Sequence, residues 1–225
     1  MKIIKSVAVI LSIFCIVFLT QAQGFVNLNF ESAQLSAYGA GGLVPATNAI
    51  PNWTAYIGGA PQTNVLYNSI TGAAPDVILE GTNNGYFPKV QGNYFLMLWG
   101  EFNPLQNTTH TNSAAIGQTG QIPLSAQSIS FWGTIGGMQA TFNGQPIDFI
   151  VTGSTANYTI YSADISAYAG QTGQLLFNDP YYGGTFGGPA TIDNIQFSST
   201  AVPEPSVFAL AALGGLLLGF RRWRK

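Results

Sequence analysis

The chain predicts an all-β sandwich over residues 25–198, with an apolar helix at each end of the precursor. Three observations carry this. Between residues 23 and 200 no stretch repeats its apolar residues with a helical period; short apolar runs alternate with turn residues instead. Gly, Asn, Thr, Ser and aromatic residues dominate that span, as they do where short strands are joined by tight turns. The span is also long enough for one sizeable core. Its only cysteine neighbour, Cys15, lies before it, so no disulfide, thiolate or cysteine-based metal site is available to the domain.

Tyr94-Phe95-Leu96-Met97-Leu98-Trp99 is apolar on both faces and reads as a central strand under cover. Ile129-Ser130-Phe131-Trp132 reads as another. Gln139-Ala140-Thr141-Phe142, then Asn143-Gly144, then Ile147 to Val151 form a predicted hairpin. Asn-Gly suits a type I′ turn because both central residues need positive φ. Pro146 then widens the loop or lies on a sheet edge. Later strands are expected at Tyr158–Tyr161, Gln174–Phe177 and Ile192–Phe197. Residues 36 to 75 carry no pattern assigned to a known module.

The two ends read differently. In residues 1–22, Lys2 and Lys5 precede an apolar run from Val7 to Leu19, and Thr20-Gln21-Ala22 supplies small residues for signal peptidase. An uncleaved membrane helix is the other reading. Phe14 before Cys15 argues against a lipoprotein site. Residues 201–225 begin with Val202-Pro203-Glu204-Pro205, continue through an uncharged run from Val207 to Phe220, and close on Arg221-Arg222-Trp223-Arg224-Lys225. That run spans roughly 21 Å as a helix, short of a roughly 30 Å hydrocarbon core, but Trp223 and snorkelling arginines extend its reach. From residues alone this is a tail anchor.

Charge supports export. With Lys2, Lys5, Arg221, Arg222, Arg224 and Lys225 at the ends, Lys89 is the lone cation between them. It faces Glu31, Asp76, Glu80, Glu101, Asp148, Asp164, Asp179 and Asp193. Basic ends stay cytoplasmic, which directs the middle outward. An acidic domain with one lysine is no partner for nucleic acid.

The tail's order of parts closely resembles the PEP-CTERM sorting signal of exported bacterial proteins, with Val202, Pro203, Glu204 and Pro205 as its head and Arg221, Arg222, Arg224 and Lys225 as its basic end. The resemblance implies processing by exosortase, a membrane-embedded cysteine transpeptidase. It also implies an inner-membrane intermediate, then the cell surface or extracellular matrix of a Gram-negative-type bacterium that makes extracellular polysaccharide. The middle, residues 23–200, resembles the carbohydrate-binding, galactose-binding-like jelly rolls. The residues concerned are Asn29-Phe30-Glu31 as an opening strand, Gly92 to Leu98, Tyr158 to Phe177, and Ile192-Asp193-Asn194-Ile195 as the closing strand. That resemblance implies an antiparallel jelly roll with a structural calcium near Glu31 and Asp193, since calcium takes carboxylate, carbonyl and water oxygens.

Catalysis finds little to use. His110 stands alone with no G-x-S-x-G elbow, one His without Cys is too little for zinc, and no phosphate-binding loop is present. No residue is therefore assigned as catalytic. A carboxylate pair such as Glu80 and Glu101 is the one enzymatic arrangement left open, as a glycosidase or lyase. Binding has more material. Trp53, Tyr86, Tyr181 and Tyr182 are candidate stacking surfaces for a sugar ring, whereas Trp99 and Trp132 are expected in the core. The expected function is a non-enzymatic, surface- or matrix-sorted protein that touches extracellular polysaccharide. A purely structural surface protein is the close alternative, and an enzyme acting on matrix glycans the distant one.

Overall fold

The fold is known from a computed structural model, which describes residues 24–69, 75–81, 89–100, 113–135, 137–180 and 189–202. The predicted signal helix and the tail beyond Val202 lie outside these residues. In chain order the elements are β1 (Gly42–Pro45), α1 (Ala46–Ala49), β2 (Thr54–Ile57), β3 (Ala60–Gln62), β4 (Asn64–Tyr67), β5 (Asp76–Gly81), β6 (Tyr94–Trp99) and β7 (Ala114–Gln121). They continue with β8 (Ser128–Thr134), β9 (Gln139–Phe142), β10 (Gln145–Ile147), β11 (Ile150–Ser154), β12 (Thr159–Asp164), a single 3₁₀ turn (Ser166–Tyr168), β13 (Thr172–Asp179) and β14 (Ala190–Ser198). An eight-stranded sheet has the order β1-β4-β5-β6-β14-β8-β12-β11, and a six-stranded sheet the order β10-β9-β13-β7-β2-β3. The chain is thus a β-sandwich, as the alternation of short runs and turns predicts.

Period-2 alternation decides what the two sheets bury. Phe131, Phe142, Phe177, Ile116, Leu96 and Ile192 lie in one contiguous core. Phe131 meets Phe177 edge-on at 5.8 Å. β6 runs between β5 and β14 and is buried on both faces, with Leu96 and Leu98 in the core and Phe95 and Met97 buried opposite them. The doubly apolar sequence of Tyr94–Trp99 has this position as its cause.

The Asn143-Gly144 turn forms as its chemistry requires. Both residues have positive φ, 50° and 76°, and Phe142 pairs with Gln145 across them. The strand that follows does not form as predicted. Ile147 to Val151 is divided between the sheets: Gln145–Ile147 completes the hairpin on the six-stranded sheet, and Ile150 starts the edge of the other. Phe149 is the reason. Its ring turns inward onto Phe131 at 4.9 Å and Phe177 at 6.4 Å, and the chain crosses over around it.

Two further expectations are corrected. Asn29-Phe30-Glu31 opens no strand; Phe30 lies in a turn at φ 56°, its side chain fully buried against Trp53. The sandwich is also not wholly antiparallel. β4 and β5 run parallel at Leu66↔Ile78 and Tyr67↔Leu79, where Asn68 (φ 45°) turns the chain and its Oδ1 accepts the Gly81 N–H at 2.5 Å.

Of the four edge strands among the described residues, β1, β3 and β10 each contain a proline, Pro45, Pro61 and Pro146, which withholds a donor from any incoming strand. β11 has none, and is bent instead by a bulge at Thr152 whose hydroxyl contacts that of Ser162 at 2.8 Å.

Candidate functional site

The two carboxylates singled out for calcium do come together, at the N-terminal end of β6. Glu31 Oε1 accepts the N–H groups of Asn93 at 2.6 Å and Tyr94 at 3.0 Å, and its Oε2 accepts from Asn93 Nδ2 at 3.0 Å. Gly92 makes room for this. It sits at φ +61°, where a Cβ would fall 2.0 Å from Glu31 Oε1. Asp193 is 1 % exposed; its Oδ2 accepts from Gln91 N at 3.0 Å and its Oδ1 from Asn194 N at 2.6 Å. Burial pushes its pKa up to about 7, against the pull of the Asn194 and Gln91 N–H groups and with a further push from the Glu31 charge.

Each of the four carboxylate oxygens already accepts an N–H, so backbone and amide donors give every one of them a partner within the protein. Among the described residues no group of three acidic, His or Cys side chains is placed to hold a metal. Glu31 and Asp193 instead tie residues 91–94 to the N-terminal arm and to β14. Asp179 does the same at the other end of β6, accepting Gly100 N at 2.9 Å, with its pKa pushed by burial up to about 6 against the pull of that N–H.

The predicted stacking residues fare unequally. Trp53 is 4 % exposed and donates its Nε1–H to Asn27 O at 3.0 Å. Phe30 and Phe177 pack on it at 5.8 Å and 6.5 Å, so its ring is core and offers no sugar a face. Tyr86, Tyr181 and Tyr182 lie outside the described residues, as do His110 and Glu101. Glu80 is fully buried on β5, between β4 and β6, out of reach of a polysaccharide.

The aromatic pair that does reach the surface was expected inside. Trp132 is half-buried and stacks on Tyr158, with centroids 4.8 Å apart and rings 7° from parallel. β-Alternation explains the placement: Phe131 points into the core, so Trp132 points out. Pairing puts Trp132 opposite Ile160 on β12, and Ser130 opposite both Ser162 and Gln196. A bulge in β14 at Asn194 (φ 46°) lets Asp193 and Gln196 share this outer face while Ile195 turns into the core. The outer face of β8, β12 and β14 thus presents a Trp–Tyr stack among hydroxyls and an amide, with Asp193 buried on it and Asp164, paired with Ser128, exposed at its far end. The signal for it was the Phe-Trp step itself, since neighbouring residues of one strand cannot both enter the core. Trp99, also expected in the core, is half-buried at the end of β6.

Beyond β14 the chain remains tied to the sandwich. Gln127 N donates to Ser198 O at 2.8 Å and Ser128 Oγ to Thr200 O at 2.7 Å. The next residue begins the sorting element. Residues 201–225 match the PEP-CTERM protein-sorting motif. The motif makes the chain an exported, surface-sorted protein and a substrate of exosortase, with a membrane-anchored intermediate before sorting. No curated protein and no solved structure matches the chain.

Proposed function

We propose that the sorted product is a non-enzymatic surface or matrix protein of a Gram-negative-type bacterium, a jelly roll whose outer sheet face contacts extracellular polysaccharide. The observation that carries the contact is the half-exposed Trp132–Tyr158 stack on a hydroxyl-bearing sheet face whose one exposed carboxylate, Asp164, lies at the far end of β12 from Tyr158. Flat aromatic surface packs against the C–H face of a sugar ring, and the surrounding hydroxyls and amide exchange hydrogen bonds with its OH groups without the desolvation cost of a charge. The jelly-roll reading is supported by strand order. From β6 onward the sheets read β6-β14-β8-β12-β11 and β7-β13-β9-β10, with the chain changing sheet at most steps. Burial of Glu80 supports binding over cleavage, because a glycosidase needs both carboxylates at the scissile bond.

Affinity electrophoresis of the processed protein in a gel cast with the host's own extracellular polysaccharide tests this. Retardation that Trp132→Ala removes, with no release of reducing ends, is the expected result. An unretarded protein would establish the purely structural coat reading, and reducing-end release would establish an enzyme.

A further inference from the structure

We propose a second glycan-binding site: a cavity at the open corner of the sandwich that accepts one neutral sugar unit. Its choice of ligand rests on the polysaccharide reading above, but its residues are separate from the Trp132–Tyr158 stack. The cavity has a volume of about 330 Å³ and lies where three segments converge: the turn after β8, the β9–β10 hairpin, and the crossover at Asp148-Phe149. That volume falls within the range of small-molecule sites.

Its walls are held in place by the fold. Phe149 is braced edge-on against Phe131 at 4.9 Å. Met138 is buried, and its N–H closes a turn onto Ile135 O at 2.6 Å. Pro146 is paired directly with Thr141 across the hairpin. These groups supply an apolar wall that needs no rearrangement to receive a ligand. The polar groups lining the cavity are the Gln139 amide, the Thr141 hydroxyl and the Asp148 carboxylate. None of the three side chains is engaged in an internal hydrogen bond among the described residues.

The donor and acceptor inventory selects the ligand class. A carboxylate accepts from two vicinal hydroxyls in charge-assisted bonds, an amide both donates and accepts, and a hydroxyl does either. Among the described residues no Lys or Arg lines the cavity, so a uronate or a phosphorylated sugar would bring a negative charge to Asp148 with nothing there to offset it. An ammonium group alone would satisfy the carboxylate but leave the amide and hydroxyl without purpose. A neutral hexose or N-acetylhexosamine uses every group: its ring C–H face lies on Phe149 and Pro146 and its hydroxyls face Asp148, Gln139 and Thr141.

Methionine methyl labelling reads this site directly. Of the three methionines, Met1 leaves with the signal, Met97 is buried in β6, and Met138 lines the cavity. The processed protein, ¹³C-methyl labelled, is titrated with glucose, galactose, mannose and N-acetylglucosamine, then with glucuronate and glucosamine. The expected result is a saturable shift of the Met138 methyl, and not of Met97, for at least one neutral sugar, with Kd on the order of 1–10 mM as befits a single unit. Glucuronate should bind at least about tenfold more weakly, and Asp148→Asn or Thr141→Val should each weaken the neutral sugar by about tenfold. Both substituted residues lie at the surface or half-buried, and an unchanged Met97 resonance reports that the fold survives. The proposal is overturned if no neutral sugar moves Met138, if glucuronate or glucosamine binds as tightly as the best neutral sugar, or if neither substitution weakens binding. A protein retarded by polysaccharide whose Met138 stays silent loses this site and keeps the proposed function. A Met138 response without retardation keeps the site and refutes the extended contact.

Discussion

Asp179 allows the energetics of the sandwich to be tested in one experiment. It closes β13, is 4 % exposed, and among the described residues has only the Gly100 N–H at 2.9 Å to compensate for the water it gives up. Burial therefore wins over the hydrogen bond, and its pKa rises from 3.8 to about 6. A carboxyl that binds its proton more tightly folded than unfolded stabilises the fold at low pH. That contribution is fully present below the unfolded pKa, near 3.8, and is lost as pH rises through about 6. At about 1.36 kcal/mol per unit, the rise is equivalent to about 3 kcal/mol between the two limits, and relaxation with some water entry should leave about 1–2 kcal/mol. Asp179→Asn keeps the shape and an acceptor for Gly100 but cannot ionise. Any cost of burying its amide is the same at every pH, so the change in its effect with pH isolates ionisation. Thermal unfolding of wild type and variant at pH 4 and pH 8 should show the variant gaining about 1–2 kcal/mol relative to wild type at the higher pH, or about 3–6 °C in Tm for a domain of this size. An Asn effect equal at both pH values would refute the argument that Asp179 is buried at an electrostatic cost.

Further outcomes follow from the same geometry. Gly92→Ala should destabilise by about 2–3 kcal/mol in urea unfolding, because its Cβ meets Glu31 in a left-handed backbone, whereas Gly144→Ala, equally left-handed at φ +76° but with open space around it, should cost only about 1 kcal/mol. Trp53→Phe should lose about 1 kcal/mol with its bond to Asn27 O, and leave polysaccharide retardation unchanged because the ring is core. Intact-mass analysis of native material should show residues 1–22 and the basic tail removed; a product still ending in Lys225 would contradict exosortase processing.

Strand existence was legible wherever alternation or turn chemistry spoke locally. Tyr94–Trp99 and Asn143-Gly144 are where their residue types put them, because burial on both faces and positive φ are demands that few residues meet. What was not legible depended on partners distant in the chain. Ile147–Val151 reads as one strand, and only the pull of Phe131 and Phe177 on Phe149 breaks it. Phe30 reads as a strand residue, yet the ring of Trp53 is worth more to it than a ladder of hydrogen bonds, and the backbone accepts positive φ to reach it. Residues 36–75 supply β1 to β4 through pairings such as Val44↔Val65, which no local pattern announces.

The candidate sites show the same division. Glu31, from the N-terminal arm, and Asp193, from within β14, both engage the chain just before and at the start of β6. The sequence shows these acceptors but not the N–H groups of residues 91, 93, 94 and 194 that engage them. In a domain with one lysine, buried carboxylates have backbone amides as their available donors. Glu31, Asp193 and Asp179 are accordingly used to hold both ends of the central strand. These three acids therefore act as structural ties, and the proposed recognition falls to the aromatic and hydroxyl-bearing surface and, in the cavity, to Asp148. With one lysine in the domain, the surface proposed for binding is ill-suited to phosphate or nucleic acid. That selectivity by charge is what distinguishes the proposed binding from adhesion in general. The proposal requires the retardation by host polysaccharide to persist when ionic strength is raised, since no ion pair takes part in it.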